Sequence, residues 1–159
     1  MTTVYYLDKD HLQPDLGLEQ GGEGGEDRMA NVIRQTVTLN ASPGELFSTY
    51  LSPRKHAAVI GDRVSISRRV GAKFTAFGGV LRGKNLLIVP GRLIVQTWRA
   101  KPWKKSDPDS ILILLFSKSP DGGRIDLLHV NVPAYDHAGV TKGWPQYYWN
   151  PWKTYLKRR

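Results

Sequence analysis

The chain has 159 residues, which suits one domain with a hydrophobic core and is short for two. It contains no cysteine, so disulfides, thiol catalysis, iron–sulfur clusters and thiolate zinc sites are excluded. The longest unbroken apolar run, residues 111–116, is far shorter than a membrane span, and no basic N-terminus leads into an apolar stretch as in a secretory signal. We therefore expect a cytoplasmic protein without a transmembrane segment.

Charge is divided unevenly along the chain. The formal net charge is +9, yet residues 1–28 contain seven acidic and two basic side chains, so residues 29–159 carry +14. Such a basic body favours an acidic partner, whether a nucleic acid, an anionic membrane or an acidic protein surface. The alternative is a solvated surface that keeps a small domain soluble. The bases form only small clusters and no named nucleic-acid motif is present, so no specific nucleic-acid partner is predicted.

The acidic, glycine-rich composition of residues 1–28 predicts a tail, and we expect residues 29–159 to form the folded domain. Residues 21–27 contain only Gly, Glu and Asp and cannot bury apolar surface, so we expect disorder there. Residues 4–7 either add an edge strand or dock elsewhere. We also hypothesise that translation naturally starts at Met29, which mass spectrometry of the native protein would test.

The domain is expected to open with one strand and two short helices. Period-two alternation over residues 32–39 predicts a strand with one buried face. Ser42 and Pro43, followed by Glu45, form the capping-box pattern of a helix start. Ser52 starts a second helix in the same way, and this helix should end near residue 60 at the left-handed cap Gly61.

A long β region follows, which we interpret as an antiparallel meander because its turns are short. Gly78 and Gly79 mark a bulge or a close backbone approach, and a turn is expected at residues 83–85. The predicted strands are residues 64–70, 73–77, 80–81, 86–89, 93–100, 111–118 and 125–132.

The last segment, residues 138–159, changes to a helical period. Its aromatic and aliphatic stripe consists of Val140, Trp144, Tyr148, Trp152, and Tyr155 with Leu156. Pro145 suits the first turn of the main helix, and Pro151 should kink the helix near Tyr147. The element order predicts an α+β fold in which this helix buries its stripe against the inner face of the sheet.

An ordered set of motifs resembles one known family, the activator-of-heat-shock-protein-90-ATPase homologues. The similarity covers about residues 31–156 and is carried by residues 71–74, 77–79, 83, 89–92, 95–99, 103, 110, 132–133 and 143–149. The resemblance implies the START-like, helix-grip fold (the SRPBCC superfamily): a curved antiparallel sheet wrapped around a long C-terminal helix, with two short helices after strand 1. It also implies a link to the stress response. The eukaryotic activators carry a separate N-terminal domain that supplies much of the stimulation. Residues 1–28, an acidic and glycine-rich stretch, are too short for that domain, so we do not expect direct chaperone activation to follow from the resemblance.

The residues do not form a catalytic pattern. Neither a nucleophile elbow, a phosphate-binding glycine loop nor a metal-spaced histidine pair is present. We therefore predict no catalytic residue, no metal and no cofactor. His129 shares the strand parity of Ile125 and Leu127, so it points inward either as a hydrogen-bonded core residue or as a polar anchor for a ligand.

A sheet curved around a helix leaves a concave apolar space, which is the default place for a small ligand. The predicted contacts are Phe74, Trp98 and His129 from the strands and Trp144, Tyr148 and Trp152 from the helix. The alternative, which we weigh equally, is that these rings fill the space as core.

Three functions follow. The first is a non-catalytic module that binds a hydrophobic small molecule or lipid. The second is a co-chaperone-like module that binds an acidic chaperone or another acidic protein. The third, less favoured, is a cyclase- or hydrolase-type enzyme.

Overall fold

An antiparallel sheet is the main element of the structure. The computed structural model describes residues 2–6 and 32–159. Its strands are β1 Thr2–Tyr6, β2 Ile33–Leu39, β3 Lys73–Ala76, β4 Leu81–Val89, β5 Leu93–Ala100, β6 Ser110–Ser119 and β7 Gly122–Val130. Their order in the sheet is β1-β2-β7-β6-β5-β4-β3, and all neighbours are antiparallel. The curved sheet confirms the predicted helix-grip architecture.

Alternation along the strands decides which side chains meet the helix. In β2, Ile33, Val37 and Leu39 are buried, whereas Arg34 and Thr38 face solvent. The same period of two runs through β5, where Ile94, Gln96, Trp98 and Ala100 are the buried set. One face of the sheet is therefore buried, and it is mostly apolar with a few polar side chains such as Gln96.

Two short helices follow β2, as predicted. Helix α1 spans Pro43–Leu51 and helix α2 spans Pro53–Ile60, with Gly61 in the left-handed conformation at the end of α2. The hydroxyl of Ser42 accepts the backbone N–H of Glu45 and caps α1. The Glu45 carboxylate pairs with Arg159 at the other end of the chain, so only half of the expected capping box is formed.

The C-terminal helix is built from three segments. Helix α3 spans His137–Trp144, a π-helical turn spans Pro145–Trp149, and helix α4 spans Asn150–Lys157. The helix thus begins before the expected start, and Pro145 lies in its interior rather than in its first turn. The irregularity expected near Tyr147 is present as the π turn. There the Asn150 N–H bonds to the Pro145 carbonyl, five residues back.

The helix packs on the inner face of the sheet. Trp144, Tyr148, Trp149 and Trp152 are all buried, and the ring of Trp144 lies 6.2 Å from that of Trp98 on β5. The aromatic stripe is therefore held in the hollow of the sheet, as its period predicted. None of the helices in the described ranges is long and apolar enough to cross a membrane.

Two predicted local features are wrong. Residues 64–70 do not form a strand: they pair with the sheet only through an isolated bridge between Ser65 and Thr75. Residues 83–85 are not a turn, because β4 runs through them and bulges between Asn85 and Leu87. Gly83 serves close packing instead: a Cβ there would lie 1.8 Å from the Thr97 carbonyl oxygen and 2.6 Å from the Phe74 ring.

The N-terminal region is described only in part. Residues 2–6 form β1, paired with β2 from Thr2–Val37 to Tyr6–Ile33. The rest of the acidic tail, the expected disorder, the boundary at residue 29 and the hypothetical start at Met29 lie outside the described residues.

Candidate functional site

An apolar cavity of about 470 Å³ lies between α3, the π turn and the adjoining ends of β4 and β5. This volume is within the range of roughly 300–1,000 Å³ that is typical of small-molecule sites. Its walls are Asp62, Phe77, Val80, Leu81, Trp98, Ala100, Asp136, Gly139, Val140, Gly143, Trp144, Tyr147 and Tyr148.

Five aromatic rings give the cavity its shape. Phe77 meets Tyr147 edge to face at 5.8 Å and Tyr148 at 5.9 Å. Trp144 lies 4.8 Å from Tyr148 on the helix side, and Trp98 forms the sheet side. Because the ring planes are strongly inclined to one another, a bound molecule would meet aromatic faces from more than one direction.

A tight turn places Phe77 over the helix. Residues Phe77–Gly79 form a 3₁₀ turn in which Phe77 has a φ of 52° and Gly78 a φ of 63°. A positive φ is unusual for a bulky residue and costs backbone energy. The Gly78 N–H bonds to the Arg63 carbonyl and holds the turn. The strained residue is therefore one that forms the cavity wall.

Two glycines on the helix leave the space open. Gly139 and Gly143 are four residues apart, so they lie on the same face of α3 beside the stripe residues Val140 and Trp144. At these two positions the helix presents backbone where a side chain would enter the cavity.

A buried hydrogen-bonded network lies directly behind Tyr148. The Nδ1 atom of His56 is 2.7 Å from the Tyr50 carbonyl, and Nε2 is 2.9 Å from the Tyr148 hydroxyl. Since a carbonyl can only accept, Nδ1 carries the proton, and the neutral ring accepts the Tyr148 O–H at Nε2. Burial lowers the pKa of His56 to about 4, although the bond to Tyr50 opposes this shift.

The network continues into the sheet. The Tyr50 hydroxyl donates to Gln96 Oε1 at 2.8 Å, and Gln96 Nε2 donates to Asn85 Oδ1 at 2.9 Å. Burial raises the pKa of both Tyr50 and Tyr148 well above that of a free tyrosine. Both phenols are therefore neutral hydrogen-bonding groups, and neither is a nucleophile near pH 7.

His129 is used inside the core. Its Nδ1 accepts the Trp144 Nε1–H at 3.2 Å, so Nε2 carries the proton and donates to the Ser110 hydroxyl at 2.8 Å. Ser110 in turn donates to the Trp98 carbonyl. Burial, and secondarily the nearby His137, lowers the pKa of His129 to about 3. Of the two interpretations of His129, the geometry matches the hydrogen-bonded core residue.

The six predicted ligand contacts divide into two groups. Trp98, Trp144 and Tyr148 line the cavity together. Phe74, His129 and Trp152 are buried in the core away from it. Trp152 Nε1 is buried without a hydrogen-bond partner among the described residues. The two alternatives, a filled core and an open cavity, are thus both present: the rings close the deep end and leave the α3 end open.

Sequence reasoning missed much of the cavity and the role of His56. Phe77 lies in a turn, and Asp62 and Asp136 lie in connections, where periodicity carries no information. The four-residue spacing of Gly139 and Gly143 beside an aromatic stripe was a sequence signal for a helix face without side chains. Among the described residues, no group of three or more potential metal ligands is found.

Comparisons with known proteins agree with the fold. The family model described as "Activator of Hsp90 ATPase homolog 1-like protein" matches residues 40–157. A Dictyostelium discoideum activator of 90 kDa heat shock protein ATPase homolog is 24% identical over 67% of this chain, and an uncharacterized Schizosaccharomyces pombe protein is 28% identical over 77%. This chain covers only 28% and 36% of the length of those two relatives.

Solved structures show the same architecture. An HSP90 activator from Plasmodium falciparum superposes with a TM-score of 0.72 at 22% identity, covering 79% of this chain and 96% of that one. A Mesorhizobium loti protein superposes with a TM-score of 0.69 at 19% identity, covering 80% of this chain and 97% of that one.

Proposed function

The chain belongs to the family of activator of Hsp90 ATPase homolog 1-like proteins, and we propose that it is a non-catalytic member that binds a hydrophobic small molecule between its sheet and its C-terminal helix. The cavity of about 470 Å³ beside Gly139 and Gly143 is the observation that carries this proposal. Side chains at those two positions would take up part of this space.

The polar groups near the cavity support binding rather than catalysis. His56 and His129 are neutral, and each ring uses both nitrogens in hydrogen bonds within the protein. Tyr148 reaches the cavity, but its proton is committed to His56. Proton transfer by these groups at neutral pH is disfavoured by the shifted pKa values.

A cavity-filling variant tests the proposal. A Cβ at Gly143 would lie 3.5 Å from the Tyr147 ring, an ordinary contact, so Gly143→Ala should fold and keep the cavity. Gly143→Leu should occupy it. We expect a ligand at 100 times its Kd to raise the Tm of the wild type and of Gly143→Ala by roughly 5–10 °C. The Tm of Gly143→Leu should not change when the same ligand is added.

The measurement is thermal unfolding across a panel of fatty acids, sterols and aromatic compounds. Gly143→Ala is the matched control, because it changes the same residue without filling the space. A panel in which no compound shifts the Tm of the wild type would contradict the proposal, as would an equal shift in Gly143→Leu.

A second candidate is a module that docks on an acidic chaperone surface. Two observations favour it: the relatives from Dictyostelium and Plasmodium are named as heat shock protein 90 activators, and residues 29–159 carry a large positive charge. Complementary charge would speed association and make it depend on salt. Because this chain covers about a third or less of the curated relatives, stimulation of the chaperone ATPase is a separate question from docking.

A further inference from the structure

The charged side chains on the cavity wall are negative, whereas the protein as a whole is positive. The chain carries a net charge of +9, yet the charged residues that line the cavity in the described ranges are two carboxylates, Asp62 and Asp136, with no lysine or arginine. We propose that the cavity selects an apolar organic cation, an amine or quaternary ammonium compound, over neutral and anionic molecules of the same shape. This inference rests on the proposed ligand-binding function.

Asp136 is held at the cavity by a contact outside the helix it precedes. It occupies the N-cap position of α3, where a carboxylate commonly accepts backbone N–H groups, but it makes no such capping bond. Instead, Oδ2 accepts the Trp103 Nε1–H at 2.6 Å. Oδ1 lies 2.7 Å from the point where a Cβ of Gly139 would be. The absence of a side chain at residue 139 therefore gives the carboxylate its room.

Asp62 brings negative charge to another part of the wall. It follows Gly61, the residue that ends α2, and the last carbonyls of a helix carry partial negative charge. Its Oδ1 accepts the Arg63 backbone N–H. The Arg63 guanidinium lies over Gly78 and is not part of the cavity wall. Of Asp62 and Arg63, it is therefore the Asp62 carboxylate that a ligand in the cavity would contact.

The aromatic rings suit the same ligand class. A cation is attracted to the faces of Trp, Tyr and Phe rings, and cages of such rings bind quaternary ammonium groups. Phe77 stands nearly perpendicular to both Tyr147 and Tyr148, with interplanar angles of 74° and 80°. Rings in this arrangement can surround an ammonium group, and the apolar remainder of the ligand can contact Val140 and Leu81.

Net charge alone predicts the opposite preference. A basic protein attracts anions to its surface, whereas an anion inside this cavity would lie beside two carboxylates in a partly dehydrated space, where like charges repel most strongly. The order of affinities therefore separates binding in the cavity from adsorption to the basic surface.

Three probes with a common 4-phenylbutyl group test the proposal: 4-phenylbutyl-trimethylammonium, 4-phenylbutan-1-ol and 5-phenylpentanoate. Affinity for the full chain is measured by calorimetry, with quenching of tryptophan fluorescence as a second readout because Trp98 and Trp144 line the cavity. We expect the ammonium probe to bind about tenfold more tightly than the alcohol, and the carboxylate to bind most weakly.

Amide variants locate the charge. Asp62→Asn and Asp136→Asn should each lower the affinity for the ammonium probe severalfold and leave the affinity for the alcohol unchanged. Gly139→Ala, which forces the Asp136 carboxylate to move, should act in the same direction. Asp121→Asn, in the exposed turn between β6 and β7, changes the net charge equally and should have no effect.

The outcomes separate this inference from the function on which it rests. Equal or tighter binding of the alcohol, with loss of binding in Gly143→Leu, would overturn cation selectivity and retain a hydrophobic ligand site. Tightest binding of the carboxylate, or an equal effect of Asp121→Asn, would also overturn cation selectivity. If no probe and no member of the wider panel binds, both proposals are wrong.

Discussion

At the scale of single residues, the most unusual groups are the two buried histidines. His56 and His129 are 2% and 0% exposed, and both are held neutral by directional hydrogen bonds. Protonation of either ring would place a charge in the core and break a bond that the ring accepts from Tyr148 or Trp144. Both residues therefore link stability to pH.

We predict that the free energy of unfolding falls as pH decreases below about 6.5. Unfolded histidine binds a proton near pH 6.5, while in the folded chain the pKa is about 4 for His56 and about 3 for His129. The stabilising contribution of each neutral ring is therefore fully present above the pKa of the unfolded state, and it is lost as pH falls toward the pKa of the folded state. By pH 5, each histidine should lower the free energy of unfolding by about 2 kcal/mol.

Urea unfolding between pH 7.5 and 5 measures this dependence. His129→Gln should reduce the slope between pH 6.5 and 5 by about half, because one of the two linked protons is removed. A slope that is unchanged in both His129→Gln and His56→Gln would contradict the assignment of the pH dependence to these rings.

At the scale of elements, a buried glutamine connects β2 to the C-terminal helix. Pro145 has no N–H to donate to the Thr141 carbonyl, and Gln35 Nε2 donates to that carbonyl at 2.9 Å. Gln35 Oε1 accepts the Trp149 Nε1–H at 2.7 Å. One side chain thus satisfies two groups of the helix, one on each side of the proline.

Removal of this connection should destabilise the fold. Gln35→Met retains the approximate volume but leaves the Thr141 carbonyl and the Trp149 indole unsatisfied, at a cost of about 2 kcal/mol or more. Gln146→Met, at an exposed position of the π turn, is the matched control and should change stability by less than about 0.5 kcal/mol. Chemical denaturation measures both; equal values would contradict the role assigned to Gln35.

At the scale of the whole molecule, surface charge is the feature that bears on partners. Lys73, Arg82 and Lys84 are exposed on the outer face of β3 and β4, with Lys73 directly opposite Lys84 across the strand pair. We call these three residues the basic cluster. Arg99 is opposite Arg82 but is already paired with Asp109.

The second proposed function, docking on an acidic chaperone surface, predicts that charge reversal in the basic cluster weakens binding to heat shock protein 90. The triple variant Lys73→Glu, Arg82→Glu, Lys84→Glu should reduce affinity at least tenfold at low salt, and the wild type should lose affinity as salt is raised. The triple variant Arg54→Glu, Lys55→Glu, Lys157→Glu changes the net charge equally at exposed sites on α2 and α4. Biolayer interferometry with purified chaperone compares them. Equal losses would exclude the basic cluster as a specific docking surface.

The prediction of elements succeeded where the signal was local. The caps at Ser42 and Ser52 and the left-handed end at Gly61 need only a few neighbouring residues, and the structure confirms them. The prediction of a turn at residues 83–85 was wrong because Gly83 serves a long-range contact: its backbone lies close to Thr97 on the next strand.

From the residues alone, the α+β element order and the burial of the aromatic stripe against the sheet could be predicted, because periods of two and of 3.6 assign side chains to a face before any contact is known. The helix-grip architecture itself was predicted from the family resemblance. Periodicity does not distinguish Trp152, which is buried in the core, from Tyr148, which lines the cavity; the folded structure was needed for that. That difference depends on where the interrupted helix crosses the sheet. It also depends on Phe77 and the two aspartates, which approach the cavity from segments without periodicity. The tautomers of His56 and His129 likewise follow from partners up to 92 residues away.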